Sequence, residues 1–453
     1  MRGMSAARVG FVRMGTSARS AIASVGSARA ALLGVGFLAV LALLSTSAVT
    51  TAAGAGSPGV PITQEEATLE VSPATNPIER WARIRLAEMT TDDKVRSLMI
   101  GHVSGMNPEG MRLAVAPVAS GGAGWGGIIL MRDNVTPDPA EVAALTAAVI
   151  AEPELPPIIA IDQEGGEVVR LSFDPYPGAN ELRAQPAGAT ADAFGGRGGL
   201  LASVGVNVNF GIVADVTPDR RSYIYSRTLG DSGAESAERV AAAVTAEQAH
   251  VASTLKHFPG HGRSADDSHF GIPVATVGAD EWRASDAVPF SAGIEAGARF
   301  VMFGHLAFPA VDDEPASLSV AWHDVLRRDL GFEGITVTDD LLMLQASGDA
   351  RWSDPYANAV AALAAGNDAL LFVFPADPSS VGIDVGVLVN TLSQAVESGI
   401  VPVAQLDASV LRMLTFRREL APGAERWRAP CDFGCSFPRE PRGTVPEGIA
   451  FAP

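Results

Sequence analysis

The chain has 453 residues, of which 47% are hydrophobic and 19% charged, and its formal net charge is −18 at pH 7. This composition is typical of a folded globular protein and excludes a disordered one, and the length allows one large domain or two ordinary domains. A surface with this much negative charge repels nucleic acid and anionic lipid, and we therefore expect neither as a partner.

The N-terminal segment differs from the rest of the chain. Before Glu65 it contains no acid and no lysine but five arginines, and an apolar run over residues 30–49 is followed by small residues. This order predicts a secretory signal peptide, with an uncleaved membrane anchor as the alternative because the run is nearly long enough to span a bilayer. We therefore expect an exported protein, extracellular or associated with the cell envelope, with residues 1–55 as the signal or anchor and 56–75 as a linker.

Eight apolar runs of strand length, rich in Val and Ile, follow the linker and mostly alternate with helical patterns. The predicted strands are residues 97–103, 126–131, 156–162, 206–216, 253–258, 299–305, 334–340 and 369–374, and the clearest helices are 232–250 and 319–331. This alternation predicts an α/β fold, a (β/α)8 TIM-type barrel that forms a single catalytic domain over residues 76–420. A doubly wound open sheet is the competing architecture, but no G-x-G-x-x-G follows the first strand.

The C-terminal tail, residues 421–453, contains both cysteines of the chain, Cys431 and Cys435. Outside the cytoplasm this pair could form a small disulfide loop. Two cysteines four residues apart could also be half of a metal site, but the sequence offers no other half. We therefore predict a local disulfide without a catalytic role.

Ionisable residues follow five of the predicted strands. They are Asp162, the polar stretch after residue 210, Lys256 with His257, His305, and Asp339 with Asp340. In a barrel the carboxyl ends of the strands meet on one face, where the active site lies. Ordinary turns prefer Gly, Asn and Ser, so acids, His and Lys at these ends predict a catalytic face.

The most crowded stretch, residues 256–269, holds three of the seven histidines and suggests a metal site at first sight. His257 and His261 are four residues apart, but zinc hydrolases place such a pair on a helix with a glutamate between the two histidines. Pro259 and the neighbouring glycines exclude a helix here. We therefore expect no metal and no cofactor.

A hydrolytic site needs a proton donor and a nucleophile. Asp267 lies two residues before His269, so its carboxylate can orient the imidazole and raise its basicity. Asp339 and Asp340 end a predicted strand, and one of them can face the site as an ionised nucleophile, while a helix N-terminal position is the alternative role for Asp340. Lys256, one of only two lysines, offers a compact ammonium that can donate to sugar hydroxyls.

Four motifs resemble those of the bacterial β-N-acetylglucosaminidases of glycoside hydrolase family 3. "KHFPGHGRSADDSH" resembles the family's K-H-F-P-G-H-G-x-x-x-x-D-S-H signature, "IDQEGGEVVRL" its D-x-E-G-G-x-V-x-R element, "YSRTLG" its R-[ST]-[FL]-G element and "GFEGITVTDDLLM" its nucleophile segment. They occur in the family's order and cover residues 78–420. The departure is "DRRSYI", a longer and more polar stretch before Arg227 than the family's pattern leads us to expect.

The resemblance implies a role for each residue. It implies that Asp339 is the nucleophile, that His269 is the acid/base and that Asp267 is its partner. The residues it implies for binding the terminal N-acetylglucosamine are Asp162, Arg170, Arg227, Lys256 and His257, with His305 lining the pocket. The glycines at 260 and 262 are expected to let the loop that carries His269 move.

The activity implied is that of a retaining exo-β-N-acetylglucosaminidase of the β-N-acetylhexosaminidase type, acting as a monomer on cell-wall fragments or related N-acetylglucosamine-containing glycans. The mechanism would pass through a glycosyl-enzyme on Asp339, with His269 replacing the second carboxylate that most glycosidases use. A β-N-acetylglucosaminide phosphorylase of the same fold is the nearest alternative. A catalytically inactive wall-binding barrel is the alternative from a different functional class, and the nucleophile and the Asp267–His269 pair argue against it.

Overall fold

Short runs of Ile, Val, Leu and Phe form the parallel sheet at the centre of the fold. In a computed structural model of the protein, the described residues are 76–118, 122–264, 266–268 and 270–427. The strands are β1 (Met99–Gly101), β2 (Gly127–Leu130), β3 (Ile158–Ile161), β4 (Val208–Val213), β5 (Ala252–Phe258), β6 (Phe300–Phe303), β7 (Ala307–Phe308), β8 (Asp312–Pro315), β9 (Ile335–Thr338) and β10 (Leu370–Phe372). The eight parallel strands are buried along their whole length, which explains why their sequences are continuously apolar instead of alternating.

The strand order identifies a barrel. It runs β10-β1-β2-β3-β4-β5-β6-β9 with every pair parallel, and a further parallel bridge between Val337 and Ala369 joins β9 to the start of β10. β7 and β8 form a separate antiparallel ribbon in the connection between β6 and β9. The predicted (β/α)8 barrel and all eight predicted strands are confirmed, and the open doubly wound sheet is excluded because the strand order is sequential and closes on itself.

Helices surround the barrel between successive strands. They are α1 (Pro77–Ala87), α2 (Thr91–Ser97), α3 (Pro108–Val115), α4 (Pro139–Val149), α5 (Ala179–Leu182), α6 (Ala187–Ser203), α7 (Gly233–Glu247), α8 (Ala279–Ala284), α9 (Ala287–Glu295), α10 (Val320–Asp324), α11 (Leu342–Ala346), α12 (Pro355–Ala365), α13 (Val385–Glu397) and α14 (Val403–Glu419). Short 3-10 helices occur at Arg132–Asn134, Tyr225–Arg227, His261–Arg263, Ala316–Leu318, Ala350–Trp352, Pro378–Val381 and Ala424–Arg426. No described helix is both long and apolar enough to cross a membrane.

Local sequence explains where several helices begin. α1, α3, α4 and α12 each start with proline after Asn76, Asn107, Asp138 or Asp354, whose side chain accepts a hydrogen bond from a first-turn backbone amide. Proline fits the first helical position because the missing N–H would have no helical partner there, and the Asn or Asp satisfies one of the remaining amides. An Asx-Pro pair therefore marks the start of four α-helices in the described part of the chain, and Asp377-Pro378 starts a 3-10 helix in the same way.

The predicted helix over residues 319–331 is interrupted. α10 ends at Asp324, and Val325–Asp329 continues as a π turn. Within that turn Arg327 donates to the carbonyls of Phe332 and Gly334 and pairs with buried Asp368 below β10. Apolar periodicity could not reveal this wider turn, because π and α turns bury similar faces.

An aromatic cluster fixes the end of β5, the strand that carries Lys256 and His257. Phe258 is fully buried, and four ring centroids lie 5.1–6.0 Å from its own. These rings belong to Trp282, Phe290, Phe303 and Trp322. Edge-to-face packing of this kind is stabilising and resists displacement of the strand end.

The predictions for residues 1–55, for the linker and for the Cys431–Cys435 disulfide lie outside the described residues and stay predictions.

Glu247, the last residue of α7, is a carboxyl buried in the barrel wall. It is 0% exposed, and its Oε1 accepts a hydrogen bond of 2.6 Å from Asn209 on β4. Burial raises the pKa of Glu247 to about 7, from an ordinary value of 4.5, so the folded protein holds a proton that the unfolded chain releases at lower pH. The folded state is therefore penalised progressively as pH rises from about 4.5 to 7.

We predict that Glu247→Gln gains stability relative to the native chain as pH rises. The amide cannot ionise, so the difference in free energy of unfolding should increase by about 3 kcal/mol between pH 4.5 and pH 8. Urea unfolding at the two pH values measures it. The exposed Glu397→Gln on α13 is the control and should show no such trend, and a pH-independent difference for Glu247→Gln would contradict the assignment.

Candidate active site

The carboxyl ends of β3 and β5 bring three predicted site residues together. Asp162 follows β3 directly, and Lys256 lies in β5 at the level of Val213 on β4. The Lys256 Nζ is 3.0 Å from Asp162 Oδ1, and Arg170 Nη2 is 3.0 Å from Asp162 Oδ2. One carboxylate thus holds two cations at the mouth of the barrel.

Two glycines allow the chain to bring Arg170 back to the mouth. Gly165 and Gly166 have φ values of 84° and 70°, a left-handed conformation that favours glycine. The turn forms a bridge between Gly165 and Val168, and two residues later Arg170 reaches the Asp162 carboxylate. The "EGG" of the sequence motif is therefore a requirement of backbone geometry.

Glu164 is a site residue that was not singled out from the sequence. It is 5% exposed and accepts two hydrogen bonds from Arg227, at 2.9 and 2.7 Å, while Lys256 Nζ lies 2.7 Å from its Oε1. Burial alone would raise its pKa, but the two cations outweigh burial and lower the pKa of Glu164 to about 2. Together we call Asp162, Glu164, Arg170, Arg227 and Lys256 the ion cluster.

Arg227 reaches this cluster despite the unexpected sequence before it. It lies in the 3-10 helix Tyr225–Arg227, and its guanidinium makes a two-pronged contact with the carboxylate of Glu164. Such a bidentate pair fixes both position and orientation of the guanidinium. The longer, polar connection therefore does not displace Arg227 from the mouth.

A buried carboxylate orients His257. Asp215, after β4, is 0% exposed, and its Oδ2 lies 2.7 Å from His257 Nδ1. Its Oδ1 accepts the backbone amides of His257 and His261 at 3.1 and 2.6 Å. Burial raises the pKa of Asp215, but its contacts with the two histidines bring it below the ordinary value, so the ionised carboxylate holds the proton of His257 on Nδ1.

His261 is buried beside His257 but has another environment. Its ring lies edge-on to Tyr223, with centroids 4.9 Å apart, and neither ring nitrogen has a hydrogen-bond partner among the described residues. Burial lowers the pKa of His261 to about 4, so the ring is neutral near pH 7. Among the described residues no group of three His, Cys, Asp or Glu side chains is arranged to hold a metal ion.

His305, after β6, is held on both sides of its ring. Nδ1 lies 2.7 Å from Ser317 Oγ, and Nε2 lies 2.9 Å from the carbonyl of Asp340. A carbonyl only accepts, so Nε2 carries the proton and Nδ1 accepts from the serine hydroxyl. Burial lowers the pKa of His305, in agreement with a neutral ring that lines the mouth.

Asp339 and Asp340 follow β9 and face different partners. Asp340 Oδ1 accepts the backbone amides of Leu342 and Val373 at 3.2 and 2.9 Å, so this acid connects the start of α11 to the end of β10. That contact agrees with the helix N-terminal alternative for Asp340. The Asp340 amide in turn donates to Asp339 Oδ1 at 2.8 Å.

The surroundings of Asp339 favour its ionised form. Burial acts to raise its pKa, but His257 and His305 act in the opposite direction. The hydrogen bond from the Asp340 amide and the charge of Lys256 lower it further, so the pKa of Asp339 lies below its ordinary value. A carboxylate that stays ionised at a barrel mouth is chemically suited to nucleophilic attack.

The loop after β5 brings Asp267 towards this face. Ser268 is 4% exposed, and its side chain hydrogen-bonds to Tyr223. The phenol of Tyr223 also interacts electrostatically with Asp215, Arg227 and Asp267. His269 lies outside the described residues, so its predicted role stays a prediction. A side chain at Gly262 would clash with the carbonyl of Val216, so close packing explains this glycine, and the loop motion expected from it stays a prediction.

The residues missed from the sequence share one property. Each of them contacts predicted site residues, and we do not expect any of them to contact substrate. They are Glu164, Asp215 and Tyr223. Glu164 lay within the quoted "DQEGG" and Asp215 within the polar stretch after residue 210, so their positions near strand ends were a signal, but the partner of each could not be read from spacing along the chain. Tyr223 gave no recognisable signal, since it lies in the unusual connection before Arg227.

A parallel (β/α)8 barrel with acids, histidines and a buried lysine at its carboxyl face defines a barrel enzyme of the hydrolase type. Residues 90–416 match the N-terminal domain of glycosyl hydrolase family 3. The chain belongs to that family, as the sequence motifs predicted.

The relatives specify the group within the family. The chain is 35% identical over 236 residues to a β-hexosaminidase of Stenotrophomonas maltophilia, an alignment that covers 48% of this chain and 68% of the relative. A β-hexosaminidase of Xanthomonas campestris is 37% identical over 229 residues, with the same coverage. The chain is therefore grouped with the β-hexosaminidases of glycosyl hydrolase family 3.

Solved structures agree with this grouping. A family 3 β-N-acetylglucosaminidase from a Paenibacillus species superposes with a TM-score of 0.65 at 31% identity, covering 75% of this chain and 64% of that one. The β-N-acetylhexosaminidase of Beutenbergia cavernae gives a TM-score of 0.62 at 28% identity, covering 73% of this chain and 99% of that one. The chain spans less than two thirds of the Paenibacillus protein.

We predict that Glu164→Gln destabilises the fold in a pH-dependent manner. The pKa of Glu164 is lowered in the folded state, so its ionisation stabilises the protein above about pH 4.5, and this contribution is lost as pH falls towards 2. The variant should lose about 3 kcal/mol at pH 7 and progressively less below pH 4.5. Urea unfolding between pH 3 and pH 7 measures the difference.

The exposed Glu238→Gln on α7 is the matched control for the same chemical change. It should alter stability by no more than about 0.5 kcal/mol at any of these pH values. A Glu164→Gln chain as stable as the native one at pH 7 would contradict the account of the ion cluster.

Proposed function

We propose that the chain is a retaining exo-β-N-acetylglucosaminidase that releases terminal, non-reducing N-acetylglucosamine from peptidoglycan-derived or related glycans. The observation that carries the proposal is the ionised Asp339 on the same barrel face as the ion cluster and His257. Curated relatives are β-hexosaminidases, and a solved relative is a β-N-acetylglucosaminidase. The basic and apolar N-terminal segment supports the further proposal that the enzyme acts outside the cytoplasm.

The ion cluster supplies what a sugar-binding site needs. Lys256 and Arg227 offer N–H donors, and Asp162 offers acceptor oxygens, so a sugar hydroxyl can both donate and accept there. The three cations of the cluster outnumber its two carboxylates by one, and Lys256 also acts on the Asp339 carboxylate, so the mouth does not need a charged ligand to balance its charges. We assign Asp162, Arg170, Arg227, Lys256 and His257 to binding the terminal N-acetylglucosamine, with His305 against the ring.

The proposed reaction has two displacements. In the first, a carboxylate oxygen of Asp339 forms a bond to the anomeric carbon while the glycosidic bond breaks, and His269 gives its proton to the departing oxygen. In the second, His269 takes a proton from water, which attacks the anomeric carbon and releases Asp339. Two inversions return the β configuration.

The residues that hold the histidines in place support these proposed roles. Asp215 directs Nδ1–H of His257 away from the mouth, so the unprotonated Nε2 faces Arg227 at 3.4 Å and remains an acceptor. His305 is neutral and donates to the Asp340 carbonyl, which holds the end of β9 in place beside Asp339. The ionised form of Asp339 is favoured by His257, His305, the Asp340 amide and Lys256 together and not by one paired cation.

Phosphate in place of water as the second acceptor would give a phosphorylase, the alternative noted from the sequence. Product analysis distinguishes the two reactions, because hydrolysis yields free N-acetylglucosamine and phosphorolysis yields its 1-phosphate. The inactive wall-binding alternative requires that no glycoside is turned over. Nothing in the described residues favours either alternative over hydrolysis.

We predict that Asp339→Asn reduces kcat for 4-nitrophenyl β-N-acetylglucosaminide by at least about 10³-fold, because the amide cannot form the glycosyl-enzyme. The fold should survive, since the contacts of Asp339 are few and Asp340 continues to bridge α11 and β10. Steady-state kinetics and circular dichroism measure both. Turnover within tenfold of the native rate would exclude Asp339 as the nucleophile.

We predict that His269→Ala slows substrates with poor leaving groups far more than substrates with good ones. A 2,4-dinitrophenyl glycoside needs little protonation as it leaves, whereas a disaccharide needs a full proton transfer. The ratio of kcat/KM for the two substrates should therefore change by about 10²-fold or more. Equal slowing of both substrates would mean that His269 has a structural role only.

A further inference from the structure

Asn209 on β4 fixes the backbone after β3, where two carboxylates of the ion cluster lie on either side of Gln163. The Asn209 Oδ1 accepts the amide of Gln163 at 3.1 Å, and its Nδ2 donates to the Gln163 carbonyl at 3.0 Å. Both residues are 0% exposed. Gln163 stands between Asp162 and Glu164 in the chain, so one buried side chain holds both backbone groups between these two acids.

The side chain of Gln163 extends this network to Arg170. Its Oε1 accepts the backbone amides of Arg170 and Leu171 at 2.8 and 3.0 Å. Its Nε2 donates to Asp174 Oδ2 at 2.8 Å, and the same oxygen accepts from Arg197 Nε at 2.7 Å. The position of Gln163 therefore determines where the backbone of Arg170 lies.

Glu247 holds Asn209 from the opposite side. Its Oε1 accepts from Asn209 Nδ2 at 2.6 Å, and its side chain is fully buried. The mechanism proposed above does not use Glu247. A buried ionisable group is thus connected to the proposed sugar site through only two side chains, those of Asn209 and Gln163.

Ionisation of Glu247 disturbs this arrangement. The Glu247 Oε2 and the Arg197 Nη1 are both buried, and neither has a hydrogen-bond partner within the described ranges. Arg197 is the charged group that acts most strongly on Glu247. A buried carboxylate without its own cation is unfavourable, so ionisation increases the attraction to Arg197 at the expense of the hydrogen bond from Asn209.

The elements around α7 offer little else to balance a charge on Glu247. α7 packs chiefly against α6, α9, β4 and β5, and β4 has no ionisable residue. The other ionisable residues on these elements or just after α7 are exposed Asp192 and His250, Glu295 in the last turn of α9, and Lys256 and His257, which pair with Asp162, Glu164 and Asp215. Arg197 already pairs with Asp174, so an ionised Glu247 competes for a cation that is in use.

We propose that Glu247 is a positioning residue for the sugar site, and that its protonated form keeps the site in its binding geometry through Asn209 and Gln163. Loss of the proton loosens the segment that carries Asp162 and Glu164, so sugar binding weakens. By linkage, a bound sugar must in turn favour the protonated form. This inference rests on the proposed function, which assigns the terminal sugar to the ion cluster.

Calorimetric titration with N-acetylglucosamine, the proposed product, tests the coupling without turnover. Burial raises the pKa of Glu247 to about 7, so the protonated form predominates at pH 6 and the ionised form at pH 8. The native Kd should rise between these pH values by about threefold to tenfold, because one proton changes binding by at most about tenfold per pH unit. At pH 7.5, titrations in buffers of different ionisation enthalpy should show that binding takes up protons.

Two variants of Glu247 separate its charge from its hydrogen bond. Glu247→Gln keeps an acceptor for Asn209 and cannot ionise, so the rise in Kd between pH 6 and pH 8 and the proton uptake should both disappear. Glu247→Met keeps the length of the side chain but removes the acceptor, so its Kd at pH 6 should be about threefold higher than native. The exposed Glu238→Gln on the same helix is the matched control and should keep the native pH dependence. Circular dichroism checks the fold of each variant.

The outcomes separate the coupling from the activity. A native Kd that is equal at pH 6 and pH 8, or a rise that survives in Glu247→Gln, would overturn the inference and leave the glycosidase proposal intact. A folded Glu247→Met that binds as tightly as the native chain at pH 6 would also overturn it. A native chain that neither binds N-acetylglucosamine nor hydrolyses the 4-nitrophenyl glycoside would contradict the proposed function itself.

Discussion

The site depends on the placement of one lysine between two carboxylates at the end of β5. The Lys256 side chain is 3% exposed, and its ammonium lies 3.0 Å from Asp162 and 2.7 Å from Glu164. A buried ammonium without partners would be strongly unfavourable, so the lysine requires both acids, and Glu164 in turn requires Arg227. These mutual requirements tie the ends of β3 and β5 to the connection after β4.

The same arrangement determines the charge state of the proposed nucleophile. Asp339 is half-buried, and burial alone would favour its neutral form. Electrostatic interactions with His257, His305 and Lys256 and the hydrogen bond from the Asp340 amide favour the carboxylate instead. Asp215 and Ser317 keep the rings oriented, and the aromatic packing around Phe258 keeps the strand that carries Lys256 in place. The chemistry proposed for Asp339 therefore depends on residues that need not touch the substrate.

Much of this could be predicted from the sequence because the strands of a parallel barrel are buried on both faces. Their continuous apolar runs identified all eight strands, and polar residues directly after them, such as Asp162 and Asp339, identified the functional face. The roles of Glu164 and Asp215 could not be derived in this way, since a counter-ion is recognised by distance across strands and not by spacing along the chain. The π turn after α10 was not predicted for a related reason. Within it Arg327 pairs with Asp368, more than forty residues away along the chain.

The central claim is that Asp339 forms a covalent bond to the sugar. Incubation with a 5-fluoro-N-acetylglucosaminyl fluoride, which forms the glycosyl-enzyme faster than it is hydrolysed, followed by peptide mass spectrometry, tests it directly. The account predicts one added sugar on the peptide that contains Asp339, located on that residue by fragmentation. An active enzyme that acquires no adduct, or that carries the sugar on Asp340 or any other residue, would contradict it.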